Sequence, residues 1–178
     1  KGVNANLEQL TRHVFTSSSC GVCGKTTIES VFQTLPALPD NLASITAAKL
    51  LTLPATLRKT QQGFGHTRRQ HACALFSPAG ELQTIREDVG RHNALDKIIG
   101  QALLDQRMPL CSSILLLSGR ISFELMQKAL AAGIPLVAGI SAPSSLAVEF
   151  ARGSGQTLVG FRRDGSFNVY AGNQRIDP

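Results

Sequence analysis

Short apolar runs alternate with amphipathic runs throughout the last third of the chain, and this alternation leaves few possible folds. Strands are predicted at residues 113–117, 136–140 and 157–161, with helices at residues 123–132 and 146–152 between them. Strands that are apolar along their whole length and alternate with helices form parallel or mixed sheets with both faces covered. We therefore predict an α/β layered fold, with a mixed sheet covered by helices.

Further elements are predicted on both sides of this region. Residues 71–76 and 81–85 indicate two strands, because Ser77-Pro78-Ala79-Gly80 between them is typical of a β-turn. A last strand at residues 167–170 follows another turn. Apolar spacing predicts one helix from residue 46, interrupted or restarted at Pro54, and another that carries Leu95, Ile98, Ile99, Ala102 and Leu103 on one face.

Length and charge narrow the class of protein. The 178 residues fit an α/β domain at 63–178 behind an irregular N-terminal part at 1–62 that holds a Cys-x-x-Cys loop and helices. The net charge of +6 and the pI near 9.6 favour an anionic partner such as a nucleotide, a pterin phosphate or an acidic protein surface. One Tyr, no Trp and no basic block interleaved with aromatics argue against a nucleic-acid partner.

The sequence also predicts whether the chain spans a membrane and in which redox environment it occurs. Residues 129–148 carry no charge, but Gly133, Pro135, Gly139 and Pro143 divide them into short elements, so we predict no membrane span. Four cysteines without a disulfide framework indicate a reducing, cytoplasmic location. Because the chain starts at Lys1 and not at Met, we expect that an N-terminal portion is missing from it.

Polar side chains gather where ligands bind in sheets of this kind. Ser118 and Arg120 follow the first strand of the last third, and ligands bind at the carboxyl ends of such strands. Arg91 and His92 lie in the first turn of a predicted helix, whose free N–H groups attract anions. We therefore predict that these four residues bind an anionic ligand.

Purely structural roles are the alternative. Ser122 and either Ser144 or Ser145 could simply cap the helices that follow them. Asp88 could cap the next helix, with the two cations of its first turn paired to Glu87 or Asp96.

The Cys-x-x-Cys loop, Ser17 to Lys25, suits reactive sulfur. Gly21 and Gly24 let its backbone bend, and Lys25 favours the thiolate form of Cys20 and Cys23, which attacks sulfur or binds metal. The spacing is compatible with half a zinc site, a redox dithiol, or a nucleophile with a neighbouring thiol. A zinc site would need further ligands, for which the candidates are His71, Cys73 and Cys111. Cys73 and Cys111 otherwise fit small buried side chains.

Several long strings resemble the FdhD family from about Phe15 to the C-terminus. They are Ser-Cys-Gly-Val-Cys-Gly, Arg-Glu-Asp-Val-Gly-Arg-His-Asn-Ala-Leu-Asp-Lys, Ser-Gly-Arg-Ile-Ser-Phe-Glu, Ile-Ser-Ala-Pro-Ser-Ser-Leu-Ala-Val-Glu and Leu-Val-Gly-Phe-Arg-Arg-Asp-Gly-Ser-Phe-Asn-Val-Tyr. Members of the family are formate dehydrogenase accessory sulfurtransferases. The resemblance implies a cytidine-deaminase-like fold and a homodimer. It also implies transfer of sulfur from a cysteine desulfurase to the bis-molybdopterin guanine dinucleotide cofactor, which is then inserted into formate dehydrogenase.

The resemblance also implies site residues. Cys20 matches the persulfide-forming cysteine and Cys23 its partner. The segment that contacts the guanine nucleotide, for which GDP is a mimic, matches Phe161, Arg162, Arg163, Asp164, Gly165 and Ser166. This chain departs from the family in having Thr67-Arg68-Arg69-Gln70-His71 where members usually have Thr-Gly-Gly-x-His.

Two functions from different classes remain open. The first is a sulfurtransferase that carries sulfur on Cys20 to the molybdenum cofactor, with no metal of its own. The second is a non-catalytic chaperone that carries the cofactor and whose cysteine pair binds zinc. A deaminase would need His-x-Glu followed by Pro-Cys-x-x-Cys, and residues 71–73 read His-Ala-Cys.

Overall fold

The structure is a computed structural model that describes residues 35, 38, 42–61 and 70–178. The predicted Cys-x-x-Cys loop, with Cys20 and Cys23, lies outside the described residues. So does the basic segment 62–69. The division of the chain at residue 62 therefore stays a prediction.

A six-stranded mixed sheet forms the centre of the described part. Its order is β3-β2-β4-β5-β6-β7, with β4, β5 and β6 parallel to one another and the remaining pairs antiparallel. The strands are β2 (His71–Phe76), β3 (Leu82–Asp88), β4 (Ile114–Leu117), β5 (Leu136–Gly139), β6 (Thr157–Phe161) and β7 (Phe167–Ala171). A separate parallel pair joins β1 (Ile45–Thr46) to β8 (Ile176–Asp177), just after the 3-10 turn Asn173–Arg175.

Four helices of the described part cover this sheet. They are α1 (Ala47–Thr60), α2 (Arg91–Leu104), α3 (Phe123–Ala131) and α4 (Ser145–Ser154). The predicted α/β fold, with a mixed sheet covered by helices, is confirmed. None of the helices in the described ranges is long and apolar enough to span a bilayer.

The two faces of the sheet are packed differently. Leu50, Leu53 and Leu57 of α1 are fully buried in one core with alternate residues of the strands, among them Ala74 and Leu116. Because side chains alternate across a strand, the intervening residues lie on the other face. That face is covered by α2 on β2 and β3, by α4 on β6 and β7, and by α3 between these two helices. Right-handed crossovers from β4 to β5 and from β5 to β6 place α3 and α4 on the same side.

Two elements differ from the sequence prediction by more than a residue or two at their ends. Helix α1 runs through Pro54 without a break, and Thr46 caps it by accepting a hydrogen bond from the Lys49 amide. Strand β3 continues to Asp88, beyond the predicted end at residue 85, because Glu87 and Asp88 pair with the first residues of β2. The charged stretch before α2 is thus largely part of an edge strand.

The two helix-cap alternatives have different outcomes. Ser144 caps α4, since its hydroxyl accepts a hydrogen bond from the Ala147 amide at 3.2 Å. Ser122 precedes α3 without a side-chain cap bond, and Gly90, not Asp88, is the N-cap of α2. Asp96 forms an ion pair with Lys128 at 2.6 Å.

The two residues that flank segment 62–69 are hydrogen-bonded to each other. Gln61 follows α1 and Gln70 precedes β2, and Gln61 Nε2 donates a hydrogen bond to the Gln70 carbonyl oxygen at 3.3 Å. This bond fixes the end of α1 beside the start of the sheet.

Candidate functional site

One edge of the sheet collects the chain segments that follow its parallel strands. The carboxyl ends of β4, β5 and β6 meet at this edge because the three strands run in the same direction. Since β2 is antiparallel to β4, it begins at the same edge with His71, and β3 ends there with Asp88. The edge is the one at which ligands bind in open α/β sheets.

A groove of about 380 Å³ lies at this edge on the side of the sheet covered by α1. We call it the edge groove. Helix α1 supplies one wall, with Leu51, Pro54, Ala55 and Arg58, and the other wall consists of Ile140 after β5 together with Phe161, Arg162, Arg163, Gly165 and Ser166. The groove therefore combines apolar walls with three arginines.

The α1 wall arises from a second stripe on the helix. Its four residues have the spacing i, i+3, i+4 and i+7, which places them on one face. This stripe lies beside the buried stripe of Leu50, Leu53 and Leu57. Leu51 is 42% exposed, and its side chain lines the groove.

The other wall is shaped by the turn between β6 and β7. Phe161 packs edge to face against Phe167, with ring centroids 6.2 Å apart. The Arg162 amide donates to the Ser166 carbonyl at 2.8 Å, and Gly165 has φ +80°, a conformation that favours glycine. The hairpin turn is thus closed by its own backbone.

Asp164 stabilises this turn from within. The Ser166 amide and hydroxyl donate to Asp164 Oδ1 at 3.0 and 2.6 Å, and Arg162 Nη2 lies 3.4 Å from Asp164 Oδ2. The hydrogen bonds from Ser166 lower the pKa of the Asp164 carboxyl below its ordinary value. The side chain is ionised and engaged inside the turn.

The structure divides the predicted binding residues into two groups. Five of the six residues matched to the guanine nucleotide segment line the edge groove, and the sixth, Asp164, does not. Arg91, His92, Ser118 and Arg120 lie at the same edge of the sheet, but none of them is among the described residues that line the groove. Ser118 ties β4 to β2, since its hydroxyl accepts from the Ala72 amide at 2.8 Å. Arg120 is exposed.

Arg91 and His92 belong to a second polar cluster, between the starts of α2 and α3. His92 Nε2 lies 3.4 Å from Ser122 Oγ. Burial, and then the charge of Arg91, lower the pKa of His92, so the imidazole is neutral at pH 7. Burial acts to raise the pKa of Glu124, but hydrogen bonding from Ser122 and other favourable interactions leave it below its ordinary value. Arg91 Nε is buried with no hydrogen-bond partner among the described residues.

Asp88 holds the backbone immediately before α2. Its carboxylate pairs with Lys97 Nζ at 2.6 Å and accepts from the Gly90 amide at 2.9 Å and from Asn93 Nδ2 at 3.1 Å. The hydrogen bond from Lys97, followed by that from the Gly90 amide, lowers the pKa of Asp88 from 3.8 to about 2. Asp88 thereby connects the end of β3 to the first two turns of α2.

The substitution Asp88→Asn should make stability depend differently on pH. A carboxyl with a lowered folded-state pKa stabilises the fold above its unfolded pKa and loses that contribution as pH falls through the folded one. We expect Asp88→Asn to unfold at lower urea concentration than the unchanged protein at pH 7. The difference should shrink as the pH is lowered from about 4 to about 2. Lys97→Gln should reproduce part of the loss at pH 7, and a difference that stays constant across this range would contradict the assignment.

The two described cysteines differ in burial. Cys73 is buried in β2, with Sγ 3.8 Å from the Arg91 carbonyl oxygen. Burial, with a smaller effect of Asp96, raises the pKa of its thiol to about 12, so it is a neutral small side chain, as the sequence indicates. Cys111 is only partly buried, contrary to expectation. No group of three or more His, Cys, Asp or Glu residues suited to a metal occurs within residues 42–61 and 70–178.

Sequence reasoning missed the α1 wall. It named no residue of this helix as part of the binding site. The signal was present: apolar residues at positions 50, 51, 53, 54, 55 and 57 cover more of the helix than one buried face requires. Such a helix has apolar surface beyond the face that packs on its core.

Comparisons with known protein sequences identify a family and several relatives. A family model described as the FdhD/NarQ family matches residues 1–177. The curated "Sulfur carrier protein FdhD" of Streptomyces coelicolor is 52% identical over 169 residues, which cover 94% of this chain and 60% of the relative. The protein of the same name from Sulfolobus acidocaldarius is 47% identical over 167 residues, covering 94% of this chain and 64% of the relative.

A solved structure is also similar. It is the crystal structure of a putative formate dehydrogenase accessory protein from Desulfotalea psychrophila, with a TM-score of 0.73 and 30% identity. The match covers 83% of this chain and 62% of that one. The chain thus spans less than two thirds of the length of these similar proteins. With a family match over almost its whole length and relatives at about half identity, the chain belongs to the FdhD/NarQ family.

Proposed function

We propose that the protein is a sulfurtransferase that supports formate dehydrogenase. Cys20 receives sulfur from a cysteine desulfurase as a persulfide and passes it to the bis-molybdopterin guanine dinucleotide cofactor. The observation that carries the proposal is the edge groove, which is lined by five of the residues matched to the nucleotide-binding segment. The names of the similar proteins, a sulfur carrier and a formate dehydrogenase accessory protein, support the same role.

The edge groove has the chemistry that a guanine nucleotide requires. Pro54 and Phe161 offer apolar surface on opposite walls against which a purine ring can pack. Arg162 and Arg163 can donate charge-assisted hydrogen bonds to phosphate. Its volume of about 380 Å³ lies within the range of small-molecule sites. GDP is therefore the probe of choice for this end of the cofactor.

The four predicted binding residues outside the edge groove have a related role. Arg91, His92, Ser118 and Arg120 bind another anionic part of the same cofactor, since they lie at the same edge of the sheet as the groove. The first turn of α2 has no side-chain cap, so its N–H groups are available to an anion. The buried Nε of Arg91 gives the second polar cluster a further hydrogen-bond donor.

Sulfur transfer takes place in two steps, and in each of them a thiolate attacks a sulfur atom. The Cys20 thiolate attacks the outer sulfur of the desulfurase persulfide, the desulfurase cysteine leaves as a thiolate, and Cys20 becomes a persulfide. Attack of the Cys23 thiolate on Cys20 Sγ then releases the outer sulfur as hydrosulfide to the cofactor. The two electrons come from the thiol pair, which becomes a disulfide and is reduced by a cellular dithiol.

The proposal includes the setting in which this chemistry occurs. The partners are a cysteine desulfurase and formate dehydrogenase, the protein is a homodimer, and the location is the cytoplasm. The family resemblance supports these partners and the dimer, and the cysteine content supports the cytoplasm.

Formate dehydrogenase activity in bacteria that lack their own homologue tests the function. We expect the protein to restore that activity, and the purified protein to bind GDP saturably in titration calorimetry. Restoration by a protein whose cysteine pair holds one zinc would indicate a cofactor-carrying chaperone. Failure of both restoration and GDP binding would contradict the proposal altogether.

A further inference from the structure

Both walls of the edge groove carry cationic residues, the wall formed by α1 and the wall formed by the turn between β6 and β7. Arg58 lines it from α1, whereas Arg162 and Arg163 line it from the segment between β6 and β7. No Asp or Glu is among the described residues that line it. Three arginines and no carboxylate around one groove favour a ligand with more than one negative charge.

The three arginines are not equally available to a ligand. Arg162 is partly neutralised by Asp164, whose carboxylate lies 3.4 Å away. Within the described ranges, neither Arg58 nor Arg163 has a carboxylate at ion-pair distance. Arg58 is also exposed, so its guanidinium can contact a bound anion without breaking an internal bond.

A simpler explanation of Arg58 has to be separated from binding. Arg58 and Lys59 both lie in the last turn of α1, where a cation stabilises the negative end of the helix dipole. Lys59 shares that position and charge but does not line the groove. Comparing a substitution of Arg58 with the same substitution of Lys59 therefore separates a ligand contact from an effect on the helix end.

We infer that Arg58 binds the phosphates of the nucleotide in the edge groove, and that α1 is part of the binding site. The inference rests on the proposed function for the presence of a nucleoside diphosphate end. What it adds is a phosphate-binding residue from outside the matched segment 161–166. The apolar residues one and two turns before Arg58, Pro54 and Leu51, then lie along the purine and ribose.

Calorimetric titration with GDP and with guanosine tests the inference on the whole protein. Arg58→Gln should weaken GDP binding about tenfold, the loss expected for one charge-assisted hydrogen bond at an exposed site. Guanosine, which has no phosphate, should bind both proteins equally. Lys59→Gln should stay within about twofold of the unchanged protein for both ligands. Arg58→Lys keeps the charge but loses the planar fork of the guanidinium. Its GDP affinity should lie between that of the unchanged protein and that of Arg58→Gln.

The outcomes separate this inference from the proposed function. If the unchanged protein binds GDP but Arg58→Gln and Lys59→Gln bind it alike, Arg58 is not a phosphate ligand and the proposed function stands. Equal losses for GDP and guanosine in Arg58→Gln would also overturn the inference, because they would indicate a change in the groove and not a lost phosphate contact. If the unchanged protein does not bind GDP, the nucleotide site of the proposed function fails and this inference fails with it.

Discussion

The substitution Cys20→Ala should abolish the gain of one sulfur atom that the protein is expected to show after incubation with a cysteine desulfurase and cysteine. The reason is chemical: alanine has no thiolate to attack the outer sulfur of the desulfurase persulfide. Intact-mass spectrometry before and after treatment with a reductant measures the gain and its reversal. Formate dehydrogenase activity should be lost in parallel, while GDP binding should be retained.

Three other cysteines provide the controls. Cys23→Ala should keep the sulfur gain on Cys20 and lose its release. Cys111→Ala removes a partly exposed thiol and should leave the gain unchanged. Cys73 is too deeply buried, with a thiol pKa of about 12, to compete as a nucleophile. A sulfur gain that persists in Cys20→Ala and disappears in Cys111→Ala would show that the carrier cysteine is wrongly assigned.

Reversing the charge of the turn between β6 and β7 should greatly weaken the binding of GDP. The double substitution Arg162→Glu with Arg163→Glu removes two cations that line the edge groove and places carboxylates beside the phosphates. Two lost charge-assisted hydrogen bonds together with repulsion should weaken GDP binding by at least about a hundredfold. Titration calorimetry at an ionic strength of about 0.15 M, where charges more than about 8 Å apart are largely screened, measures this. Guanosine should be affected much less.

A matched control carries the same change of net charge elsewhere. Arg107→Glu with Arg152→Glu also replaces two exposed cations by carboxylates, and neither residue lines the groove. This control should retain most of its GDP affinity, since screening weakens charge effects at a distance. Equal losses in the two double variants would mean that overall charge, and not the groove, determines binding.

Sequence patterns predicted the central parallel strands better than the edge strand β3. The runs at 113–117, 136–140 and 157–161 are apolar on both faces, and only a strand covered on two sides buries such a run. The end of β3 was missed because edge strands tolerate charge, so Arg86 and Glu87 look like loop residues although they pair with β2.

The candidate site was predictable only in part. The edge of the sheet followed from strand direction, and the resemblance supplied the segment 161–166, of which five residues line the edge groove. The sequence could not show that Asp164 is engaged inside its turn, since that depends on Ser166 adopting one particular geometry. Nor could it place Arg58, because the direction of an exposed residue depends on which side of α1 packs on the sheet.

The hydrogen bond between Gln61 and Gln70 has a consequence for the segment that connects them. It joins the residue after α1 to the residue before β2, so the segment between them starts and ends close together. Each doubling of a connecting segment costs only about 0.6 kcal/mol of loop-closure free energy. A change in the length of the segment between these two positions should therefore cost little free energy of folding.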